Sequence, residues 1–320
     1  MTVEKHHKAR LFRLTLSSLV ALSATVATAA APKQPVLSFS SPVSGLAIER
    51  GSLWVSIAGD SLMLRLDART GRRLARIEVH RADARAFGGG SLAAAGNRIW
   101  IAAPVHVVGD PTVGDASGWI GWIDRRTLRL KLVQVHRDRP ARVAVGRSGV
   151  WVSGLRTLRR VDLVTGKVRR SFRASHYLGA VAVTRGSVWV AWSNTGRVLQ
   201  LDPRTLKLRA SILVGYSSAG SSLAVAGGRV WAGTDRGLVA IDSSSAKVVS
   251  RIPLPGAGNV AFDGSQLWAL ANGGVYSIRG RTATKRLALD PQAFGLLVAV
   301  GRDVWLSDEG TNSLRRVATR

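Results

Sequence analysis

The chain of 320 residues contains no cysteine. This absence excludes disulfide bonds, thiolate metal sites and an anchor attached through a lipid-modified cysteine. Acidic residues are scarce as well, because 19 Asp plus Glu stand against 46 Lys plus Arg, giving a formal net charge of +27. Glu309 is the only glutamate after Glu78, no histidine follows His176, and no Asp-x-Asp-x-Asp-Gly calcium loop is present. The sequence therefore predicts no catalytic residue, no metal site and no cofactor.

Long apolar runs are also missing, apart from one near the N-terminus. A basic segment (residues 5–13) precedes an apolar stretch at 14–28, and Ala27, Thr28 and Ala29 form a small-residue cleavage motif. This order predicts a signal peptide at 1–29 and a secreted or periplasmic, cell-envelope location. A permanent membrane anchor is the alternative, but Ser and Thr interrupt a stretch that is barely long enough to span a bilayer. After cleavage no transmembrane helix is expected.

What the chain does have is an internal repeat built around tryptophan. A Trp follows a turn and opens a short apolar strand at Trp54, Trp100, Trp151, Trp189, Trp231, Trp268 and Trp305. The spacing of roughly 37 to 51 residues is the period of a β-propeller blade. Each unit reads as four short strands bounded by Gly, Asn, Asp or Pro, as antiparallel hairpins require. The sequence predicts an all-β, seven-bladed β-propeller of four-stranded antiparallel blades over residues 30–320.

The two ends of the propeller are expected to pair. The seventh unit stops after Val317, one strand short of the others, whereas an isolated strand at 35–40 belongs to no unit. Adding this strand to the last blade as its outer strand would remove an exposed edge. The prediction is a last blade closed by the N-terminal strand.

An aspartate ends the third strand of most units. These residues are Asp67, Asp124, Asp162, Asp202 and Asp242. A short carboxylate accepts the backbone N–H groups of the turn that follows it. Because the residue recurs once per blade, the expected role is structural.

The repeat pattern resembles a known group of propellers. Residues 149–153 (GVWVS), 160–168 (RVDLVTGKV), 187–190 and 201–205 are similar to the YVTN and quinoprotein-like propeller superfamily, most of all to streptogramin (virginiamycin B) lyase-like seven-bladed propellers. The lyase resemblance implies metal-assisted elimination by His and Glu in the late blades, from which this chain departs. The quinoprotein resemblance rests on Asp-x-x-Thr-Gly turns at 67–71 and 162–166, but the fourth strands lack the Trp that quinone-binding blades carry.

A ligand site is expected at one mouth of the propeller channel, on the blade junctions and the second-to-third turns. The candidate residues there are His80, Arg81, Arg85, His106, Arg139, Arg142, His176, Tyr177, Trp192, Asn194 and Tyr216. Tyr177, Trp192 and Tyr216 either stack on a sugar or base or plug the channel. The insertion at 104–118 is the largest departure from the repeat, and Trp119 and Trp122 just beyond it are expected to pack within a strand.

The charge indicates the kind of partner. A strongly basic protein attracts polyanions in a salt-dependent way, although the cations are scattered through every blade and an Arg-rich composition alone would produce the same count. No basic helix with interleaved aromatics is present, so sequence-specific nucleic-acid binding is not expected. The sequence predicts an exported, monomeric, non-catalytic binding or scaffolding module for an anionic envelope polymer or a protein partner. The alternative is a metal-assisted lyase.

Overall fold

The computed structural model describes residues 36–79, 90–104, 117–135, 138–147, 149–217, 222–291 and 293–317. These residues form 28 β-strands in seven four-stranded antiparallel sheets, and they contain no helix. None of the described segments is therefore a helix that could cross a bilayer. The predicted seven-bladed β-propeller is confirmed, whereas the predicted signal peptide at 1–29 lies outside the described residues.

Four consecutive strands build each of the first six blades. Blades 1 to 3 consist of β2 (Val43–Glu49), β3 (Ser52–Ile57), β4 (Leu62–Asp67) and β5 (Arg73–Glu78); β6 (Ser91–Ala95), β7 (Arg98–Pro104), β8 (Gly118–Asp124) and β9 (Leu130–Val135); and β10 (Arg142–Gly146), β11 (Gly149–Ser153), β12 (Thr157–Val161) and β13 (Val168–Arg173). Blades 4 to 6 consist of β14 (Leu178–Val183), β15 (Val188–Trp192), β16 (Arg197–Leu201) and β17 (Leu208–Leu213); β18 (Leu223–Ala226), β19 (Arg229–Thr234), β20 (Gly237–Asp242) and β21 (Val248–Pro253); and β22 (Asn259–Phe262), β23 (Leu267–Ala271), β24 (Gly274–Arg279) and β25 (Thr282–Ala288).

Blade 7 joins the two ends of the described chain. It consists of β26 (Leu297–Val300), β27 (Asp303–Asp308), β28 (Ser313–Arg316) and, as its outer strand, β1 (Val36–Ser38). The antiparallel register sets Leu37 opposite Leu314. This confirms that the N-terminal strand closes the last blade, so that the edge of β28 does not remain unpaired.

The first strand of every blade lies next to the first strands of its two neighbours. These strands surround the central channel, where little room is left, and they are rich in Ala, Gly, Ser and Val, as in β6 (SLAAA) and β18 (LAVA). Small side chains on the innermost strands thus let the seven sheets converge.

The repeated tryptophans lie on the second strand of each blade and fill the space between neighbouring sheets. Trp54, Trp100, Trp151 and Trp305 are fully buried. Trp54 of blade 1, for example, packs with Leu92 of blade 2, and Trp305 of blade 7 packs with residues of blade 1. An aromatic side chain of this size buries about 150 to 250 Å², so these contacts supply much of the cohesion between blades.

Trp119 and Trp122 lie in β8 and are both buried. The Trp122 ring stands 5.1 Å from that of Trp100, and the Arg98 guanidinium stacks on it at 4.4 Å. Both tryptophans therefore pack within the blades, as predicted. Residues 105–116 of the insertion lie outside the described residues.

Alternating strand direction divides the connections between two faces. The basal face carries the first-to-second and third-to-fourth turns, which touch each other where Ala68 donates its N–H to Gly51 O at 2.8 Å. The apical face carries the second-to-third turns and the blade junctions, which touch where Ser193 donates its N–H to Tyr177 O at 2.9 Å. The channel runs between the two faces.

The third-strand aspartates hold the basal turns together. In blade 4, Asp202 Oδ1 accepts the backbone N–H groups of Arg204 at 2.9 Å and Thr205 at 2.8 Å. The same arrangement recurs at Asp67, Asp124, Asp162 and Asp242. These hydrogen bonds favour the ionised carboxylate and hold its pKa below the usual value in all five residues. The predicted structural role is confirmed.

Candidate functional site

Several of the predicted site residues cannot be placed. His80, Arg81, Arg85 and His106 lie outside the described residues. The remaining candidates all lie on the apical face, in three separate places.

One group lies at the junction of blades 3 and 4. The His176 and Trp192 rings meet edge-on, with their centroids 5.5 Å apart, and the Arg156 guanidinium lies 5.7 Å from the Tyr177 ring centre. Asn194 is exposed in the following turn and has a positive φ of 63°. Trp192 is thus partly covered by His176 instead of standing free in the channel.

Tyr216 lies at the junction of blades 4 and 5. It is 55% exposed and borders an open groove of about 740 Å³ between the two blades. Its carbonyl oxygen accepts the Asp235 N–H at 3.0 Å. Tyr216 therefore faces outwards at the edge of the face, apart from the His176 group.

Arg139 and Arg142 flank the start of blade 3. Arg139 is half-buried beside Asp138, a fully buried carboxylate that accepts the Leu155 N–H at 2.8 Å and contacts Thr157 and Arg159. Asp138 therefore holds the second-to-third turn of blade 3 in place. Arg142 lies three residues beyond Arg139, at the start of β10, and borders the channel.

Arg142 reaches the far side of the channel mouth. It lines a cavity of about 250 Å³ whose other walls come from blades 5, 6 and 7. The residue is exposed to solvent, whereas the protein close to the guanidinium disfavours its charged form and lowers its pKa. The charge of Glu309 opposes this effect. An arginine from blade 3 therefore supplies positive charge to a cavity built by the opposite blades.

Glu309 lies in the second-to-third turn of blade 7 and lines the same cavity. Its backbone N–H donates to Phe294 O at 3.0 Å, which fixes the turn against the junction of blades 6 and 7. Partial burial raises the pKa of the Glu309 carboxyl, and the nearby Arg142 charge limits that rise. The two opposite charges thus influence each other across the cavity.

The rest of the cavity wall is polar, with one aromatic side chain. Asp235, Asn259, Asn272 and Phe294 contribute to it, and Phe294 is 57% exposed. Gly256 has a positive φ of 70°, and a Cβ at this position would overlap the amide of Asn272. The sequence did not identify these residues as site residues, because their turns carry no recognisable pattern. The one signal was Glu309, the only glutamate after Glu78.

The basal mouth of the channel, in contrast, is surrounded by exposed arginines. An exposed arginine stands in or directly after the first-to-second turn of five blades, and we call this set the basal arginine ring: Arg50, Arg147, Arg185, Arg229 and Arg302. Arg147 and Arg185 border a cavity of about 360 Å³. Arg50 approaches Glu49 at 3.8 Å, whereas the other four form no ion pair with a described residue.

The third-to-fourth turns surround this ring with further exposed cations. These are Arg69, Arg72, Arg126, Arg129, Lys167, Arg204, Lys207, Lys247, Arg279 and Arg281. Among the described residues of the apical face, carboxylates and cations are similar in number: Asp60, Glu78, Asp138, Asp235, Asp290, Asp308 and Glu309 beside Arg139, Arg142, Arg156, Arg173, Arg197 and Arg236. The excess of cations among the described residues therefore lies on the basal face.

No described group of three or more His, Asp or Glu side chains is arranged to hold a metal ion. The cavity that contains Glu309 is lined by no histidine among the described residues. Its chemistry is that of charge recognition, through one guanidinium, two carboxylates and two amides.

Comparison with known proteins adds to the fold. No protein-family model matches the chain, and no curated protein matches it in sequence. A similar solved structure is the WD40 domain of Pan2 from Neurospora crassa, which is 13% identical, has a TM-score of 0.70, and matches 90% of this chain and 95% of that one. At this level of identity the likeness shows the fold alone. The fold is that of a β-propeller, a class that serves binding and scaffolding as well as catalysis.

Proposed function

We propose that this protein is a binding or scaffolding module that holds an anionic polymer on its basal face. The observation that carries the proposal is the basal arginine ring, in which exposed arginines from five blades surround one mouth of the channel. Four of them have no carboxylate partner among the described residues, so their charge remains available to a ligand.

The carboxylates of the basal turns do not neutralise this surface. Each third-strand aspartate is engaged by its own turn, and Glu49 pairs with Arg125 at 2.6 Å. They remain negatively charged, but the cations of the same turns outnumber them. A clustered field of one sign raises the local concentration of polyanions and accelerates their binding.

The partner class follows from the shape of the surface. The cations lie around a mouth and along the outer turns of six blades, so they form a broad ring instead of a groove that would read base edges. Such a surface suits an extended, flexible polyanion held by its phosphate, sulfate or carboxylate groups. The proposal includes export directed by residues 1–29. The polymer is therefore expected to be a component of the cell envelope.

The YVTN-like resemblance is compatible with this function because blade-repeat residues are shared by binding scaffolds and enzymes. The lyase alternative requires a His and a Glu that flank one bond. His176 packs on Trp192 of blade 4, whereas Glu309 faces the channel from blade 7. His176 and Glu309, in different blades, therefore do not form the acid–base pair that the lyase alternative requires.

The test compares two double variants with the same change in net charge. Arg147→Glu with Arg185→Glu alters the basal ring, whereas Arg156→Glu with Arg236→Glu alters two exposed arginines of the apical face. Binding to fluorescent polyphosphate is measured from 50 to 300 mM salt. We expect the basal variant alone to weaken binding markedly and to flatten the slope of log K against log salt, because fewer counterions are released.

Equal losses in both variants would mean that net charge, and not the basal face, drives binding. Failure of the unaltered protein to bind polyphosphate, dextran sulfate or anionic lipid vesicles at low salt would refute the proposal. Circular dichroism of each variant confirms that the fold is retained.

A further inference from the structure

The cavity at the apical mouth holds two opposite charges that do not neutralise each other directly. Arg142 and Glu309 line the same space of about 250 Å³ and interact electrostatically. Neither side chain belongs to an ion pair with a described residue. One guanidinium N–H of Arg142 donates to Ala141 O at 3.0 Å, and the Glu309 carboxylate accepts no hydrogen bond from the described residues. Both charged groups are therefore available to a ligand in this cavity.

The backbone positions of both charged residues are fixed by their surroundings. Arg142 is the first residue of β10 and pairs with Ser153 in the blade 3 sheet. The turn of Glu309 is tied to Phe294 by the backbone hydrogen bond described above. Asn259 donates its side-chain N–H to Gly295 O at 3.2 Å, which further secures that junction. Because the backbone of the site is already ordered, only side-chain freedom is lost when a ligand binds.

The size and lining of the cavity restrict the ligand. A volume of about 250 Å³ lies just below the range typical of drug-sized ligands, so the space suits a small molecule. Guanidinium groups bind carboxylates through paired, charge-assisted hydrogen bonds, and a carboxylate binds an ammonium group through single charge-assisted hydrogen bonds. Phe294, exposed at the edge, offers an apolar contact.

We propose that the apical cavity binds a small zwitterion of the amino-acid type, with its carboxylate on Arg142 and its ammonium group on Glu309. Asp235 and Asn272 lie in the same wall and complete the polar surroundings. This site is separate from the basal polyanion surface, since it lies at the other end of the channel and recognises both signs of charge.

The first experiment uses the unaltered protein and needs no variant. Free amino acids with small apolar side chains, such as alanine, valine and leucine, are titrated by calorimetry. Each binder is compared with its amide, which lacks the carboxylate, and its N-acetyl derivative, which lacks the ammonium group. We expect both derivatives to bind at least about tenfold more weakly, as expected when a charge-assisted contact is lost.

The second experiment assigns the two contacts. Arg142→Gln should remove the preference for the free acid over the amide, and Glu309→Gln should remove the preference for the free amine over the N-acetyl form. Arg139→Gln is the matched control, because Arg139 lies on the same junction outside the cavity wall. Absence of binding by all free amino acids at millimolar concentration, or equal binding of acid, amide and N-acetyl forms, would overturn the proposal. An equal effect of the control variant would also overturn it.

Discussion

A buried hydrogen bond links the last blade of the propeller to the first. The indole N–H of Trp305 in blade 7 donates to Ala68 O in blade 1 at 2.7 Å. Both residues are fully buried, so the carbonyl has no access to bulk water. The change Trp305→Phe removes this donor together with part of the ring, and we expect it to destabilise the protein.

A matched variant separates the hydrogen bond from the loss of volume. Trp151 occupies the same position in blade 3 and is equally buried, but its indole N–H has no hydrogen-bond partner among the described residues. Trp151→Phe therefore loses packing but breaks no hydrogen bond, whereas Trp305→Phe also leaves a buried acceptor unpaired. The extra cost should be about 1 to 3 kcal/mol, which corresponds to roughly 2 to 4 °C in melting temperature per kcal/mol for a domain near this size.

Urea unfolding followed by circular dichroism measures the difference between the two variants. Equal slopes with different midpoints would show a change of stability rather than of compactness. If the two variants unfolded at the same urea concentration, the blade 7 to blade 1 hydrogen bond would contribute nothing, and the reasoning would be refuted.

Two further predictions concern the same fold. Deleting residues 32–40 removes β1 and exposes the edge of β28, so the melting temperature should fall; a truncated protein that melts with the full-length chain would contradict closure by β1. Asp202 has a folded-state pKa below the ordinary 3.8, so its contribution to stability is present above pH 3.8 and is lost as the pH falls below that value. Asp202→Asn should therefore lose less stability than the parent protein on acidification, as measured by melting temperature from pH 6 to pH 2. Parallel pH profiles would indicate that the carboxylate does not stabilise the turn.

Much of the fold was predictable because its signals are local. A Trp on each second strand must fill the wedge between neighbouring sheets, and a short carboxylate after each third strand must serve the next turn. The missing strand of the last unit and the spare strand at the N-terminus together indicated closure, since unpaired edges are unfavourable. None of these inferences required knowledge of distant contacts.

The candidate site was less predictable, because it depends on residues far apart in the chain. Arg142 was identified as a mouth residue, but nothing in the sequence relates it to Glu309. The arginines appeared scattered along the sequence repeats. In the folded propeller, those at the first-to-second turns lie together around one mouth of the channel.

The sequence by itself therefore determined the number of blades and their strands, since hydrophobic pattern and turn chemistry act within a few residues. The missing strand at one end and the spare strand at the other also indicated the means of closure. Only the tertiary structure decided which charges meet. Bending seven sheets around a channel brings blade 3 opposite blades 6 and 7, and alternating strand direction sorts the turns onto two faces. Charge interactions act through space, so their partners appear only when the ring is closed.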